Sequence, residues 1–155
     1  MNLTYKKAGL SDLDLLTDSR IEVLRAANEL SDEVDMSLVA KESYFYYKDS
    51  LSGSEHVAYL VFDDKTFVAT GGISFYRVMP TYHNPSGKKA YIMNMYTVPE
   101  YRRRGIALNT LDLLVQEARK RNIAYISLEA TKAGIPLYER YGFVKLDCEM
   151  ALPLN

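Results

Sequence analysis

Val98-Pro-Glu-Tyr-Arg-Arg-Arg-Gly-Ile-Ala107 joins an alternating apolar run to a long amphipathic one. The first run, Ala90–Val98, reads as a strand, and the second, Arg103–Arg121, as a helix. The junction is short, carries three successive arginines and contains Gly105. It brings free backbone N–H groups, the positive end of a helix dipole and guanidinium charge to one point, which is what a polyphosphate requires. The plainer alternative is a solvated basic helix start, because charge runs commonly face water. Cations at a helix N-terminus oppose the dipole, however, and a bound anion would offset that cost. Gly105 and the small Ala107 let a ligand approach the backbone. The segment has neither Gly-x-x-x-x-Gly-Lys-Ser/Thr nor Gly-x-Gly-x-x-Gly, so the phosphate belongs to a different carrier.

Working outward, Leu3–Lys7 reads as a first strand. Ser11-x-x-Asp14 resembles a capping box, and Leu13, Leu16, Ile21, Leu24 and Ala27 recur near helical spacing behind it. Ser37–Lys48 predicts a second helix, closed by Ser52-Gly53 and rich in aromatic residues at Tyr44–Tyr47. His56–Phe62 and Thr66–Val78 predict a hairpin turned at Asp63-Asp-Lys65, with Gly71-Gly72 marking a bulge or a close backbone approach. Pro80–Lys89 is a loop by composition. Beyond the long helix, with Asn122 as its left-handed cap, come a strand at Ile123–Leu128, a helix at Ile135–Tyr141 and a last strand at Phe143–Ala151. This order predicts a mixed α/β sheet, antiparallel at first, with a parallel crossover through the Arg103 helix.

The chain has 155 residues, which predicts one domain over 1–155 that buries roughly 70% of its unfolded surface. A net charge of −1 argues against nucleic acid as the main partner. The single cysteine, Cys148, excludes an internal disulfide and a cysteine metal cluster; it reads as a small buried hydrophobe. No apolar run reaches the roughly 18 residues of a membrane span, and Met1–Lys7 has no apolar signal core. A cytoplasmic location is expected, with no membrane partner. Two histidines without paired ligands predict no metal site. His56 reads as structural; His83 is either solvent-exposed or a substrate contact.

Arg102-Arg-Arg-Gly-Ile-Ala107 fits the pattern Arg/Gln-x-x-Gly-x-Gly/Ala, and Pro136-Leu-Tyr-Glu-Arg-Tyr-Gly-Phe143 fits Leu-Tyr-x-x-x-Gly-Phe. In this order, with a helix and a strand between them, they resemble the two motifs of the GNAT superfamily of N-acetyltransferases. The resemblance implies a mostly antiparallel sheet whose fourth and fifth strands are parallel and splay apart, flanked by about four helices. It implies acetyl-CoA as co-substrate, its pantetheine arm lying in the gap. Met95, Tyr96 and Thr97 would then offer main-chain contacts, and the Met95 N–H would stabilise the thioester oxygen as it gains charge. Arg103, Arg104, Gly105, Ile106, Ala107 and Leu108 would bind the pyrophosphate, with Arg102 orienting the loop.

Tyr138 resembles the family tyrosine that protonates the departing thiolate; a packed helix aromatic is the alternative. The base is open. The glutamate that many members carry on the fourth strand is absent from Tyr91–Val98. Asn94 could orient a water there. Glu129 resembles a glutamate at the end of the fifth strand in some members, or is a surface carboxylate. Thr131 lies where an asparagine often contacts the carrier. The resemblance thus implies an N-acetyltransferase acting on a primary amine, small-molecule or peptide, by direct attack. A non-catalytic acyl-CoA sensor is the alternative reading, and a homodimer is compatible with either. The acceptor pocket is expected between the first helices, the Pro80–Lys89 loop and the last strands, lined by Tyr44, Tyr47, Tyr82 and His83. Glu33, Asp35 and Glu42 could attract a cationic amine or simply face water.

Overall fold

A computed structural model describes residues 1–154. Five strands lie in chain order across one sheet: β1 (Leu3–Lys7), β2 (His56–Asp63), β3 (Thr66–Arg77), β4 (Lys88–Thr97) and β5 (Tyr125–Leu128). All neighbours are antiparallel except β4 and β5, which run parallel across the crossover helix. Four helices flank the sheet: α1 (Leu13–Asn28), α2 (Ser37–Ser52), α3 (Ile106–Lys120) and α4 (Ile135–Tyr141).

The alternation of β2 explains why both faces are covered. Ala58 and Leu60 point to one face, where they pack with Leu16 of α1 and Tyr47 of α2. Val57 and Tyr59 point to the other, against Leu111, Leu114, Val115 and Ala118 of α3. Strand β2 is therefore buried on both sides, and the sheet is the middle layer of three.

Several expectations change in detail. The first helix is entered through a 3-10 turn at Leu10–Asp12, and it is Asp12, not Ser11, that accepts the Gly9 N–H, at 2.9 Å. Its buried stripe is Leu16, Ser19 and Val23, while Ala27 is exposed. α2 runs on to Ser52, α3 begins only at Ile106, and β5 begins at Tyr125. The expected strand Phe143–Ala151 does not form. Gly142 leaves α4 at φ 125°, and the segment beyond pairs with no strand among the described residues. Its alternation of apolar and polar residues names two faces but supplies no neighbouring ladder. Cys148 is consequently exposed, not buried. The Gly71-Gly72 expectation holds, and Asn122 does take a left-handed conformation at φ 57°.

No helix among the described residues is long and apolar enough to cross a membrane. No group of three His, Cys, Asp or Glu side chains among them could hold a metal ion.

Candidate active site

The site begins with a mismatch between β3 and β4. Thr70 pairs with Tyr96, and Gly72 pairs with Met93, so Gly71 alone faces both Asn94 and Met95. The extra residue is absorbed by Asn94, whose φ of 60° is left-handed. This is a β-bulge, which bends and twists its strand. Its consequence appears on the far edge of β4. Pairing with β5 stops at Ile92–Leu128, so β4 from Met93 onward has no β5 partner. Val98 donates to Val68 on β3, at 2.9 Å. By ladder alternation the N–H groups of Met95 and Thr97 then point the other way, into the gap.

Gly71 makes this bulge possible. A Cβ there would lie 2.6 Å from Met95 Sδ and 2.9 Å from Thr110 Cγ2. The Met95 side chain is folded beneath the sheet against α3, in the cluster that also receives Leu128 and Tyr138. The bulge, the end of β5 and α4 thus converge over one patch of core.

Past β4 the chain makes a 3-10 turn at Pro99–Tyr101, with proline at its first position. Arg102 Nε donates to the Thr97 carbonyl at 3.0 Å, tying the arginine loop back to the gap. Arg103 (φ 61°) and Gly105 (φ 80°) are both left-handed, and they turn successive N–H groups outward before α3 begins. The first helical hydrogen bond is Asn109 N–H to the Gly105 carbonyl, at 3.1 Å. Among the described residues, the N–H groups of Arg103 to Leu108 have no backbone acceptor. Space above Gly105 is open: a Cβ at that position would meet nothing within 4 Å. The Ile106 side chain is buried and anchors the turn, while the Arg104 guanidinium lies 5.3 Å from the Tyr101 ring. A depression of about 340 Å³ continues from here between α3 and α4, bounded by Leu108, Asp112 and Arg140.

On the other side of β5 a cleft of about 820 Å³ contains Leu128, Glu129 and Tyr138 in its wall. This is an ordinary size for a small-molecule site. Tyr138 stands edge-on to Phe143 at 6.0 Å, over Gly134, where a Cβ would come within 3.0 Å of its ring. Burial raises the Tyr138 phenol above its usual range. Its hydroxyl has no protein hydrogen-bond partner among the described residues, whereas Tyr141 donates to Asp112 at 2.7 Å. Glu129 is exposed just past β5, near the Tyr91 phenol, which is raised first by burial and then by the Glu129 charge. Thr131 directs its hydroxyl at the Gly134 N–H, 3.2 Å away, and so caps the turn into α4.

The expected acceptor residues do not gather. Tyr47 is only 4% exposed, and its hydroxyl accepts from Asn94 Nδ2 at 3.3 Å. Asn94 is 9% exposed, and its Oδ1 accepts from Arg20 Nη1 at 3.0 Å. Its side chain is a brace for the bulge. Tyr44 is half-buried against Phe45. Tyr82, 92% exposed, and His83 meet edge to face at the tip of the β3–β4 loop, where the Val78 N–H and Gly87 carbonyl close its base. Asp35 accepts the Ser37 N–H at the start of α2, and Glu33 and Glu42 are exposed. The sequence reading missed Arg20. Its signal was there: an arginine beside Ser19 on the Leu16–Val23 stripe that α1 turns inward.

A mixed sheet that opens between its parallel strands beside the bare start of a helix is the architecture of a GNAT acyltransferase. The comparisons agree. The model of the acetyltransferase (GNAT) family matches residues 24–143, and the chain belongs to that family of N-acetyltransferases. The crystal structure of a predicted acetyltransferase with acetyl-CoA from Clostridium acetobutylicum is 37% identical. The match covers 97% of this chain and 96% of that one, with a TM-score of 0.89. A GCN5-related N-acetyltransferase from Ralstonia eutropha JMP134 is 25% identical over 99% of both chains, with a TM-score of 0.86. No curated protein matches the chain.

Proposed function

We propose that residues 1–155 form one catalytic domain that transfers the acetyl group of acetyl-CoA to a primary amine by direct attack. The observation that carries this reading is the run of N–H groups from Arg103 to Leu108, without a backbone acceptor among the described residues and turned outward beside the β4–β5 gap. These groups and the α3 dipole suit a diphosphate, and the open space at Gly105 leaves room for one. Arg102, Arg103 and Arg104 add charge, and the depression between α3 and α4 offers the carrier a path. The acetyl-CoA held by the Clostridium acetobutylicum relative supports the same carrier here.

The chemistry follows from the gap. The Met95 N–H meets the thioester oxygen, and a fixed donor lowers the barrier as charge builds there. Tyr96 and Thr97 lend main-chain contacts to the arm. The acceptor ammonium gives a proton to Glu129, directly or through one water, and the free amine attacks the carbonyl carbon. A C–N bond forms and the C–S bond breaks. The sulfur leaves with the phenolic proton of Tyr138; the nitrogen sheds its second proton through solvent, which restores the phenol, and Glu129 releases its own to bulk water. A phenol raised by burial stays protonated at neutral pH and remains a donor.

The test is release of free thiol from acetyl-CoA across a panel of amines. Tyr138→Phe should lower kcat roughly 100-fold while the Kd for CoA stays unchanged. An unchanged kcat removes Tyr138 from the mechanism. Binding without thiol release from any amine would leave a carrier sensor instead of an enzyme.

A further inference from the structure

We propose that Arg20 selects an acceptor that carries an anionic group, a carboxylate or a phosphate, close to its primary amine; this rests on the acetyl-transfer reading above. Three arginines in the molecule are half-buried, and two are fully accounted for. Arg25 donates to the Ser31 and Val34 carbonyls and closes the chain after α1. Arg121 pairs with the Glu117 carboxylate at 2.8 Å. Arg20 makes a single hydrogen bond, to the neutral Asn94 Oδ1 at 3.0 Å, and no carboxylate among the described residues is in ion-pair reach.

Its remaining donors are accessible. The one side-chain polar atom sealed from solvent without a partner, among the described residues, is His56 Nε2. The free nitrogens of Arg20 therefore reach water on the α1–α2 side of the sheet. A guanidinium offers five donors in a rigid fork that matches a carboxylate or phosphate edge. Most of that fork is unspent.

Position gives the charge its meaning. Arg20 is bonded to the side chain of the residue immediately before Met95, whose N–H faces the gap where the acyl carbonyl belongs. Two further neighbours, His56 and Tyr47, are neutral. Burial, and then the Arg20 charge, pushes the His56 imidazole down to about 4. Burial also raises the Tyr47 phenol to about 12, the Arg20 charge opposing it. Glu22, on the same helix, is turned to the Tyr96 hydroxyl at 3.0 Å. A half-desolvated cation with no counter-charge repels a polyamine and is relieved by an anion that arrives with the substrate. Bracing Asn94 alone would not need a formal charge.

Steady-state kinetics on matched acceptors separate the two roles. The panel pairs amino acids with their amides and an amino-sugar phosphate with the unphosphorylated sugar, and it includes a polyamine. The proposal expects the anionic member of a pair to have a KM at least roughly tenfold lower. Preference in the amino-acid arm identifies a carboxylate site, and preference in the sugar arm a phosphate site. Arg20→Gln, which keeps an amide donor for Asn94, should raise KM roughly tenfold more for the anionic members than for their neutral partners, with Arg20→Lys recovering part of that difference. If Arg20→Gln does not fold, the wild-type comparison decides alone. Neutral amines or the polyamine matching the anionic acceptors would overturn the proposal. So would an equal effect of Arg20→Gln on both members, or no turnover of any anionic amine by protein that binds CoA. Failure to bind CoA would instead overturn the acetyl-transfer reading beneath it.

Discussion

Glu117→Gln isolates the interaction that locks α3 to the edge of the sheet. Glu117 is 2% exposed, yet it is charged. Arg121 reaches one carboxylate oxygen at 2.8 Å, the Tyr59 hydroxyl donates to the other at 3.0 Å, and Lys7 lies 3.3 Å away. The cluster thereby ties β1 and β2 to the back of the helix whose front end forms the candidate carrier site. Burial by itself would raise the carboxyl, but the hydrogen bonds from Arg121, Tyr59 and Lys7 outweigh it and hold the group at about 2, against an ordinary 4.5. That difference corresponds to about 3 kcal/mol. The sign is fixed by linkage. The folded carboxyl is the more acidic, so the stability is complete above pH 4.5 and is lost as pH falls toward about 2. Urea unfolding of wild type and Glu117→Gln at several pH values measures it. At pH 7 the variant should be weaker by about 3 kcal/mol, a fall in Tm of roughly 6–12 °C for a domain of this size. The gap between the two proteins should close progressively below pH 4.5. A constant difference from pH 7 down to pH 2 would refute the charged-network account.

His56 should produce a separate acid transition: burial holds it at about 4 against 6.5, so its share of stability is present above pH 6.5 and lost as pH falls toward 4. Denaturant midpoints of His56→Leu should lack that slope; retaining it would assign the slope to other groups. Gly71→Ala should cost about 1–3 kcal/mol, because the new methyl meets Met95 Sδ at 2.6 Å, and the double variant with Met95→Ala should recover part of the loss in a thermodynamic cycle. Additivity of the two changes would disprove the contact. Gly105→Ala has room for its methyl but sits at φ 80°, so a stability loss of about 1–2 kcal/mol is expected by thermal melting, together with weaker CoA binding. Unaltered CoA affinity would place the diphosphate elsewhere.

Much of this was legible in the chain, for identifiable reasons. The Arg102–Ala107 junction could be placed because strand alternation before it and helical spacing after it bracket a turn on both sides. Gly71-Gly72 announced a bulge, and a Cβ at Gly71 would crowd Met95 Sδ at 2.6 Å. Asn94 gave no such announcement: a left-handed asparagine inside an otherwise regular strand follows from the mismatch with β3, which is a tertiary fact. The burial of Tyr47 was not legible, because aromatic residues that line a pocket and those that fill a core have the same composition. The Phe143–Ala151 segment has the alternation of a strand, but a strand exists only where a partner ladder accepts it. Arg20 was hidden among the other charges of α1, and only the inward turn of the Leu16–Val23 stripe brings it to Asn94.

Calorimetric titration of the protein with CoA, set beside the same titration with pantetheine, bears most directly on the role of the α3 start. The account predicts saturable heat with CoA and a much weaker response to pantetheine, which has the arm but not the diphosphate. Absence of heat with CoA at millimolar concentration, or equal affinity for pantetheine, would contradict it.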